Sequence, residues 1–275
     1  MMDSLTRTLI IAHRGASSLA PENTLASARK ALELGADLWE LDVAMSQDGE
    51  LFLLHDDTLE RTSNAADIFP GRRPWNAWEF TFEEIRLLDF GSWYGQRDPR
   101  GLIAAGVVSY ADACAYCGEP APTLREALMF TREHDWRVNV EIKDLSGTPG
   151  DGVVVERVVG LIQELGMGNR VMISSFKHDY LRQVRALDMD LVTAALVEEA
   201  HPQPAALLAE LGAQAYNPEL GKITAGEIAA LRALGYGVNI WTVNEEVDMR
   251  ALIAAGANGL FTDYPQRMKA VLREM

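Results

Sequence analysis

Short apolar, β-branched runs alternate with Ala- and Leu-rich stretches along nearly the whole chain, and this alternation restricts the fold more than any other feature. Strand signals fall at Leu9–His13, Leu38–Val43, Leu51–His55, Val138–Lys143, Val171–Phe176, Leu191–Val197, Gln214–Asn217, Gly237–Val243 and Gly259–Thr262. Helix signals fall between most of them, at Thr24–Leu34, Thr123–Glu133, Val153–Leu165, His178–Ala186, Pro204–Leu211, Ala225–Leu234 and Asn244–Ala254. Strands alternating with helices imply a parallel sheet. The 275 residues suit a (β/α)₈ barrel, which needs about 250 as one unit.

Nine strands are one too many for such a barrel, and the spare one can be identified. Only a short link containing Ser46-Gln47-Asp48-Gly49 separates Val43 from Leu51. A parallel crossover needs about a dozen residues, whereas Asp-Gly is a hairpin signal. Leu51–His55 is therefore expected to run antiparallel to the preceding strand, outside the eightfold repeat. The expected fold is an α/β, (β/α)₈ TIM-type barrel forming a single domain over 1–275. It carries the extra antiparallel hairpin strand and an inserted aromatic-rich segment at about 57–121. That segment holds Phe69, Trp75, Trp78, Phe80, Phe82, Phe90, Trp93, Tyr94, Tyr110 and Tyr116. A connection of this length is usually a functional loop or a small subdomain. Whether it caps a substrate or merely covers the barrel stays open at this point.

Barrel enzymes place their chemistry at the C-terminal ends of the strands. His13 and Arg14 end the first run, Glu40 and Asp42 sit late in the second, and Glu141 and Lys143 end the fourth. Strand side chains alternate, so Glu40 and Asp42 share one face, as do Glu141 and Lys143. Leu41, Val43, Val140 and Ile142 then face the helices, and the carboxylates face the barrel mouth. Burying carboxylates is costly without compensation. An oxygen-rich cluster of this kind suits a hard divalent cation such as Mg²⁺ or Ca²⁺. The alternative is an internal ion-pair network with Arg14 and Lys143.

His13 and His55 supply the other half of the pattern. Histidine is suited to proton transfer at neutral pH, and two of them can divide the labour of acid and base. Asp56 and Asp57 follow His55 and are placed to orient it. His134 and His178 belong to helices and His201 to a loop, so none of the three is a catalytic candidate.

The formal net charge of −15 speaks against a polyanion partner, because nucleic acid and acidic lipid surfaces are bound through Lys and Arg. A small anionic substrate needs only local positive charge. No apolar run approaches the roughly 18 residues of a membrane span. The Met1–Ile11 stretch is too short and too polar for a secretory leader, and the chain reads as cytoplasmic. Cys114 and Cys117 form a lone C-x-x-C without further zinc ligands or a redox context, which reads as structural or incidental. A homodimer is left open.

The ordered set His13-Arg14-Gly15, Pro21-Glu22-Asn23-Thr24, Glu40-x-Asp42, His55-Asp56 and Leu59-x-Arg61-Thr62 resembles the glycerophosphodiester phosphodiesterase family. Glu141-Ile142-Lys143, Ser174-Ser175-Phe176, Trp241-Thr242-Val243-Asn244 and Gly259-x-x-Thr262-Asp263-Tyr264-Pro265 extend the resemblance to residue 265. Each stretch is short, but together and in this order they are specific. The resemblance implies a divalent metal on Glu40, Asp42 and Glu141, an acid–base pair of His13 and His55, and phosphate contacts from Arg14 and Lys143. It implies small glycerophosphodiester substrates, hydrolysed to glycerol 3-phosphate and an alcohol. Phe176 and Trp241 are expected to wall the glycerol or the leaving group, with plain barrel packing the alternative for Trp241. The stretch Gln96–Cys117 departs from the pattern and leaves substrate choice open.

Overall fold

Runs that are apolar at successive positions suit strands buried on both faces, and nine form among the described residues. They are β1 (Leu9–Ala12), β2 (Leu38–Met45), β3 (Leu51–Leu53), β4 (Val138–Ile142), β5 (Val171–Ser175), β6 (Val192–Val197), β7 (Ala215–Pro218), β8 (Gly237–Ile240) and β9 (Gly259–Thr262). The structure is a computed structural model and describes residues 7–275. The reading of Met1–Ile11 falls in part on residues 1–6, which lie outside the described ones.

The strands pair in the order β1-β9-β8-β7-β6-β5-β4-β2, and β2 pairs back with β1 to close the ring. All eight neighbours are parallel. This is the expected TIM barrel. β3 lies outside the ring, antiparallel to the far end of β2, with Val43 opposite Leu53 and Met45 opposite Leu51. The hairpin turn has a local cause. The Ser46 hydroxyl accepts from the Glu50 N–H at 2.9 Å and donates to Asp48 at 2.6 Å, and Gly49 takes the left-handed φ of 86°.

Among the described residues, eight helices of eight or more residues surround the ring, and the sequence signals anticipate seven of them. The eighth, Pro265–Glu274, buries Met268 and Val271 against the barrel. Its start signal, Pro at the first turn, is present. Thr24, Thr123 and Thr224 each form a capping box at a helix start. Such a cap stabilises by about 1 kcal/mol.

Alternation along the strands divides the core in two. Trp39, Leu41, Val43, Val138, Val140, Ile142 and Ile173 pack outward against the helices. Leu9, Ile11, Leu38 and Phe261 fill the barrel interior, as do Met172, Ala194 and Ala215. A Cβ on Gly259 would lie 2.7 Å from Ile11 Cδ1 and 2.8 Å from Asn239 Oδ1, so the interior is full at that level. Only the mouth is left for polar chemistry.

The insertion between β3 and the helix Leu124–Glu133 contains short helices only: Ala65–Ile68, Ala77–Glu79, Phe82–Ile85, Ser92–Arg97 and Tyr110–Cys114. Most of its aromatics build its own cores. Trp75, Phe80 and Phe90 cluster with Leu59, Ile85 and Leu88 upon Phe52 and Leu54. Trp93 and Tyr94 cluster with Val108 and Ala113 against Leu19. The Tyr94 hydroxyl donates to the Ser18 carbonyl at 2.6 Å, fastening the insertion to the rim beyond β1. Cys114 and Cys117 are free and exposed there. Among the described residues, no helix is long and apolar enough to cross a membrane.

Candidate active site

The turn after β1 is dictated by close packing. Gly15 has φ 83°, and a Cβ there would sit 2.4 Å from the Ser27 hydroxyl oxygen. Gly15→Ala is expected to destabilise the fold by about 2 kcal/mol, because the left-handed φ and the clash act together; denaturant unfolding measures this. The turn lets Arg14 adopt φ 55° and donate its N–H to Glu40 Oε2 at 2.7 Å. The Arg14 guanidinium reaches Glu22 at 2.8 Å, and its Nε lies 3.3 Å from Asp42 Oδ2, close but not aligned for a hydrogen bond.

Glu40 and Asp42 project inward from β2, and Glu141 projects inward from β4, where it is the register partner of Asp42. One oxygen from each lies within 4.8 Å of the others, and all three residues are buried. Lys143 Nζ stands 3.0 Å from Glu141 and 3.8 Å from Asp42. Asn23 clamps Asp42 from the other side, donating to Oδ2 at 2.8 Å and accepting from the Asp42 N–H at 3.1 Å.

Three buried carboxylates this close cannot all be charged without compensation. Burial, then the Asp42 and Glu141 charges, push Glu40 well above the usual carboxylate range, against the pull of Arg14. Burial and Asp42 raise Glu141, with Lys143 opposing. Asp42 also feels burial, but Arg14, Lys143, His55 and the Asn23 hydrogen bond together hold it far below that range. The ion-pair network foreseen as the alternative therefore exists, and it serves Asp42 and Glu141. It leaves Glu40 Oε1 buried with no hydrogen-bond partner among the described residues. That orphaned oxygen, in an all-oxygen cluster of surplus negative charge, fits a hard divalent cation.

His13 and His55 reach the same place from different elements. His13 follows β1 and hydrogen-bonds through its N–H to Thr262, the last residue of β9. His55 arrives past β3, on the hairpin outside the ring. Both line one cleft together with Arg14, Glu40, Glu141, Phe176, Leu196, Trp241 and Phe261. Phe176 and Trp241 meet edge to face with centroids 5.4 Å apart, just past the ends of β5 and β8, and Trp241 Nε1 donates to the Asn217 carbonyl at 2.8 Å. Asp42 and Lys143 stand beside the cleft. His134, His178 and His201 do not line it; their ring nitrogens contact Phe130, Leu196 and Gln203 main-chain atoms.

Each cleft histidine is held through Nδ1. Asp56 Oδ1 lies 2.8 Å from His55 Nδ1, and Asp263 Oδ1 lies 2.8 Å from His13 Nδ1. Asp56 was legible as the next residue in sequence. Asp263 has no role in the sequence reading, although its signal is the same alternation: it shares parity with Gly259 and Phe261 and so points inward. Glu22 was missed likewise. It accepts from Arg14 and from Arg61, the latter 39 residues further along the chain, and thereby links their two motifs.

Burial pushes Asp263 up, but the His13 hydrogen bond and charge, with Arg100 and Asn244, hold it well below the usual carboxylate range. A folded-state value below the unfolded one stabilises the fold above about pH 4 and is lost as pH falls further. Asp263→Asn is therefore expected to be less stable than wild type at pH 7, with the gap closing below about pH 4. Urea unfolding across that range tests it; a gap independent of pH would contradict the assignment.

A mouth cationic enough for a phosphodiester and acidic enough for a metal puts the chain among the barrel phosphodiesterases, a class of hydrolase. The family follows from the sequence comparison. Residues 13–267 match the glycerophosphoryl diester phosphodiesterase family, and the chain belongs to it. A glycerophosphodiester phosphodiesterase of Caldanaerobacter subterraneus is 33% identical over 98% of this chain and 99% of its own. A crystal structure from Silicibacter pomeroyi superposes with a TM-score of 0.84 at 27% identity, covering 98% of this chain and 94% of the other. An Oleispira antarctica phosphodiesterase, solved in complex with the product sn-glycerol-3-phosphate, gives 0.80 at 26% identity over 98% of each chain.

Proposed function

We propose that the chain hydrolyses glycerophosphodiesters to glycerol 3-phosphate and an alcohol, with His13 and His55 as the acid–base pair and Mg²⁺ or Ca²⁺ held by Glu40, Asp42 and Glu141. The observation that carries this reading is that both histidines, each with Nδ1 tied to an aspartate, line one cleft with Glu40 and Glu141. An Nδ1 that donates to a carboxylate leaves Nε2 as the ring nitrogen available for proton transfer.

In the proposed reaction an oxygen nucleophile attacks phosphorus, and a neutral histidine takes its proton. The nucleophile is water, or the substrate's own 2-hydroxyl, which forms a cyclic phosphate first. The bond from phosphorus to the leaving oxygen breaks, and the second histidine, protonated, gives its proton to that oxygen. Arg14 and Lys143 offer positive charge to the phosphate oxygens. A divalent cation, when bound, supplies further charge that stabilises those oxygens. Phe176 and Trp241 form an apolar wall for the glycerol or the leaving group.

The product complex of the Oleispira antarctica relative supports a phosphodiester of glycerol as substrate. The test is a panel of glycerophosphodiesters, including the choline and ethanolamine forms, assayed for glycerol 3-phosphate with Mg²⁺, Ca²⁺ or EDTA. Release from at least one diester, lost with EDTA, is expected. No release from any diester, or release of another product, overturns the reading.

A further inference from the structure

The aspartates behind the two histidines are not left to themselves. Each is gripped by an arginine from the insertion. Arg61 Nε lies 2.5 Å from Asp56 Oδ2, and its NH2 nitrogen donates to Asp56 Oδ1 at 3.0 Å. Arg100 NH2 lies 2.6 Å from Asp263 Oδ2. Arg97, three residues before Arg100, donates to the Arg61 carbonyl at 2.6 Å.

Arg100 is held in a built turn. The Asp98 carboxylate accepts from the N–H groups of Ile103 and Ala104 at 3.1 and 2.9 Å. Asp263 is then saturated. Its Oδ1 takes His13 Nδ1 and the Ser17 hydroxyl, and its Oδ2 takes Arg100 and the Asn244 amide. Its backbone N–H is fixed by Asn244 Oδ1 at 3.0 Å. Asp263 is only 4% exposed in its side chain, whereas Arg100 is 40% exposed. A half-exposed arginine adds little to stability as an ion pair. As a clamp on a buried carboxylate it restricts which way that carboxylate presents Oδ1, and so the rotation and tautomer of the ring beyond it.

We propose that Arg100 is a positioning residue: the insertion reaches over the barrel rim and orients His13 through Asp263, as Arg61 does for His55 through Asp56. The inference rests on the reading of His13 as one of the acid–base pair. It also gives the stretch Gln96–Cys117 a task that its sequence did not reveal.

The test measures kcat and KM for Arg100→Ala, Arg100→Lys, Asp263→Asn and the Arg100→Ala/Asp263→Asn double variant, beside His13→Ala and on the holoenzyme. Arg100→Ala is expected to lower kcat by about 10- to 100-fold, as loss of an orienting partner does. KM is expected to stay within about twofold, since no substrate contact is removed. Arg100→Lys is expected to recover most of the loss. The double variant is expected to be no slower than Asp263→Asn alone, because Arg100 acts only through that carboxylate. Additive losses, a wild-type kcat in Arg100→Ala, or a loss accompanied by a lower melting temperature in Arg100→Ala and Arg100→Lys alike would overturn the proposal. If His13→Ala is itself fully active, the acid–base reading falls. If His13→Ala is inactive and Arg100→Ala is not, only the positioning role falls.

Discussion

His13→Ala and His55→Ala are each expected to lower kcat by about 10²–10⁴-fold, the size of effect that positioned proton transfer supplies. Both variants should stay folded, since neither ring belongs to an apolar cluster, but His13→Ala should be the less stable of the two at pH 7 because it takes a partner from the more deeply buried aspartate, Asp263. The pH–rate profile of the wild type should be bell-shaped, since one ring must be neutral and the other protonated in the same turnover. Each variant should lose one limb of that bell in its residual activity. The limb that disappears assigns the acid and the base, which the geometry leaves symmetric: each ring has one nitrogen on an aspartate and one free. A flat wild-type profile between about pH 5 and 9 would remove the pair from the mechanism.

The second large effect concerns the acidic cluster. EDTA is expected to abolish turnover, and Mg²⁺ or Ca²⁺ to restore it. A cation present at about a hundred times its Kd stabilises the fold by about 2.7 kcal/mol. For a chain of this size that raises the melting temperature by roughly 5–10 °C. Glu40→Gln separates metal binding from folding. It removes a charge that burial and two neighbouring carboxylates already disfavour. The metal-free variant should therefore be at least as stable as the metal-free wild type. It should also lose both the metal-induced shift in melting temperature and the activity. Full activity in excess EDTA, or an unchanged shift in Glu40→Gln, would show that the cluster is an ion-pair network only.

How far the sequence was legible follows from the range of each interaction. Strand positions and their inward or outward faces depend on alternation within five or six residues. The barrel, the spare hairpin strand and the inward carboxylates Glu40, Asp42 and Glu141 could all be read from it. The hairpin was marked by Ser46-Gln47-Asp48-Gly49, where the Ser46 hydroxyl closes the turn with Asp48 and Glu50 within four residues. Trp241 and Phe176 illustrate the margin of that reading: both fell within the expected strand runs Gly237–Val243 and Val171–Phe176, and both lie one residue beyond the observed strands. The helix Pro265–Glu274 was missed although its period is legible, with Met268 and Val271 buried and Arg273 on the outer face.

The aromatic insertion shows the opposite case. Its composition fits a cap or a cover equally well, since burying Trp75, Phe80 and Trp93 in a core of their own requires the same residues as closing over a ligand. Only the packing separates the two. Most of the aromatics turn inward and none lines the cleft; Tyr110 is exposed, and Trp78 lines a second pocket beside His55 and Lys143.

What the sequence by itself determined is therefore the frame: a parallel ring, its hairpin, and the side of each strand on which a carboxylate stands. Strand pleat and turn chemistry act between near neighbours, so a linear string contains them. What only the tertiary structure decided is partnership. Asp263 lies 250 residues from His13, Glu22 joins Arg14 to Arg61, and Arg100 lies 163 residues from the carboxylate that it holds. Such pairs exist because closure of the ring brings the end of β9 beside the end of β1, and no local pattern records which distant charge will meet them there.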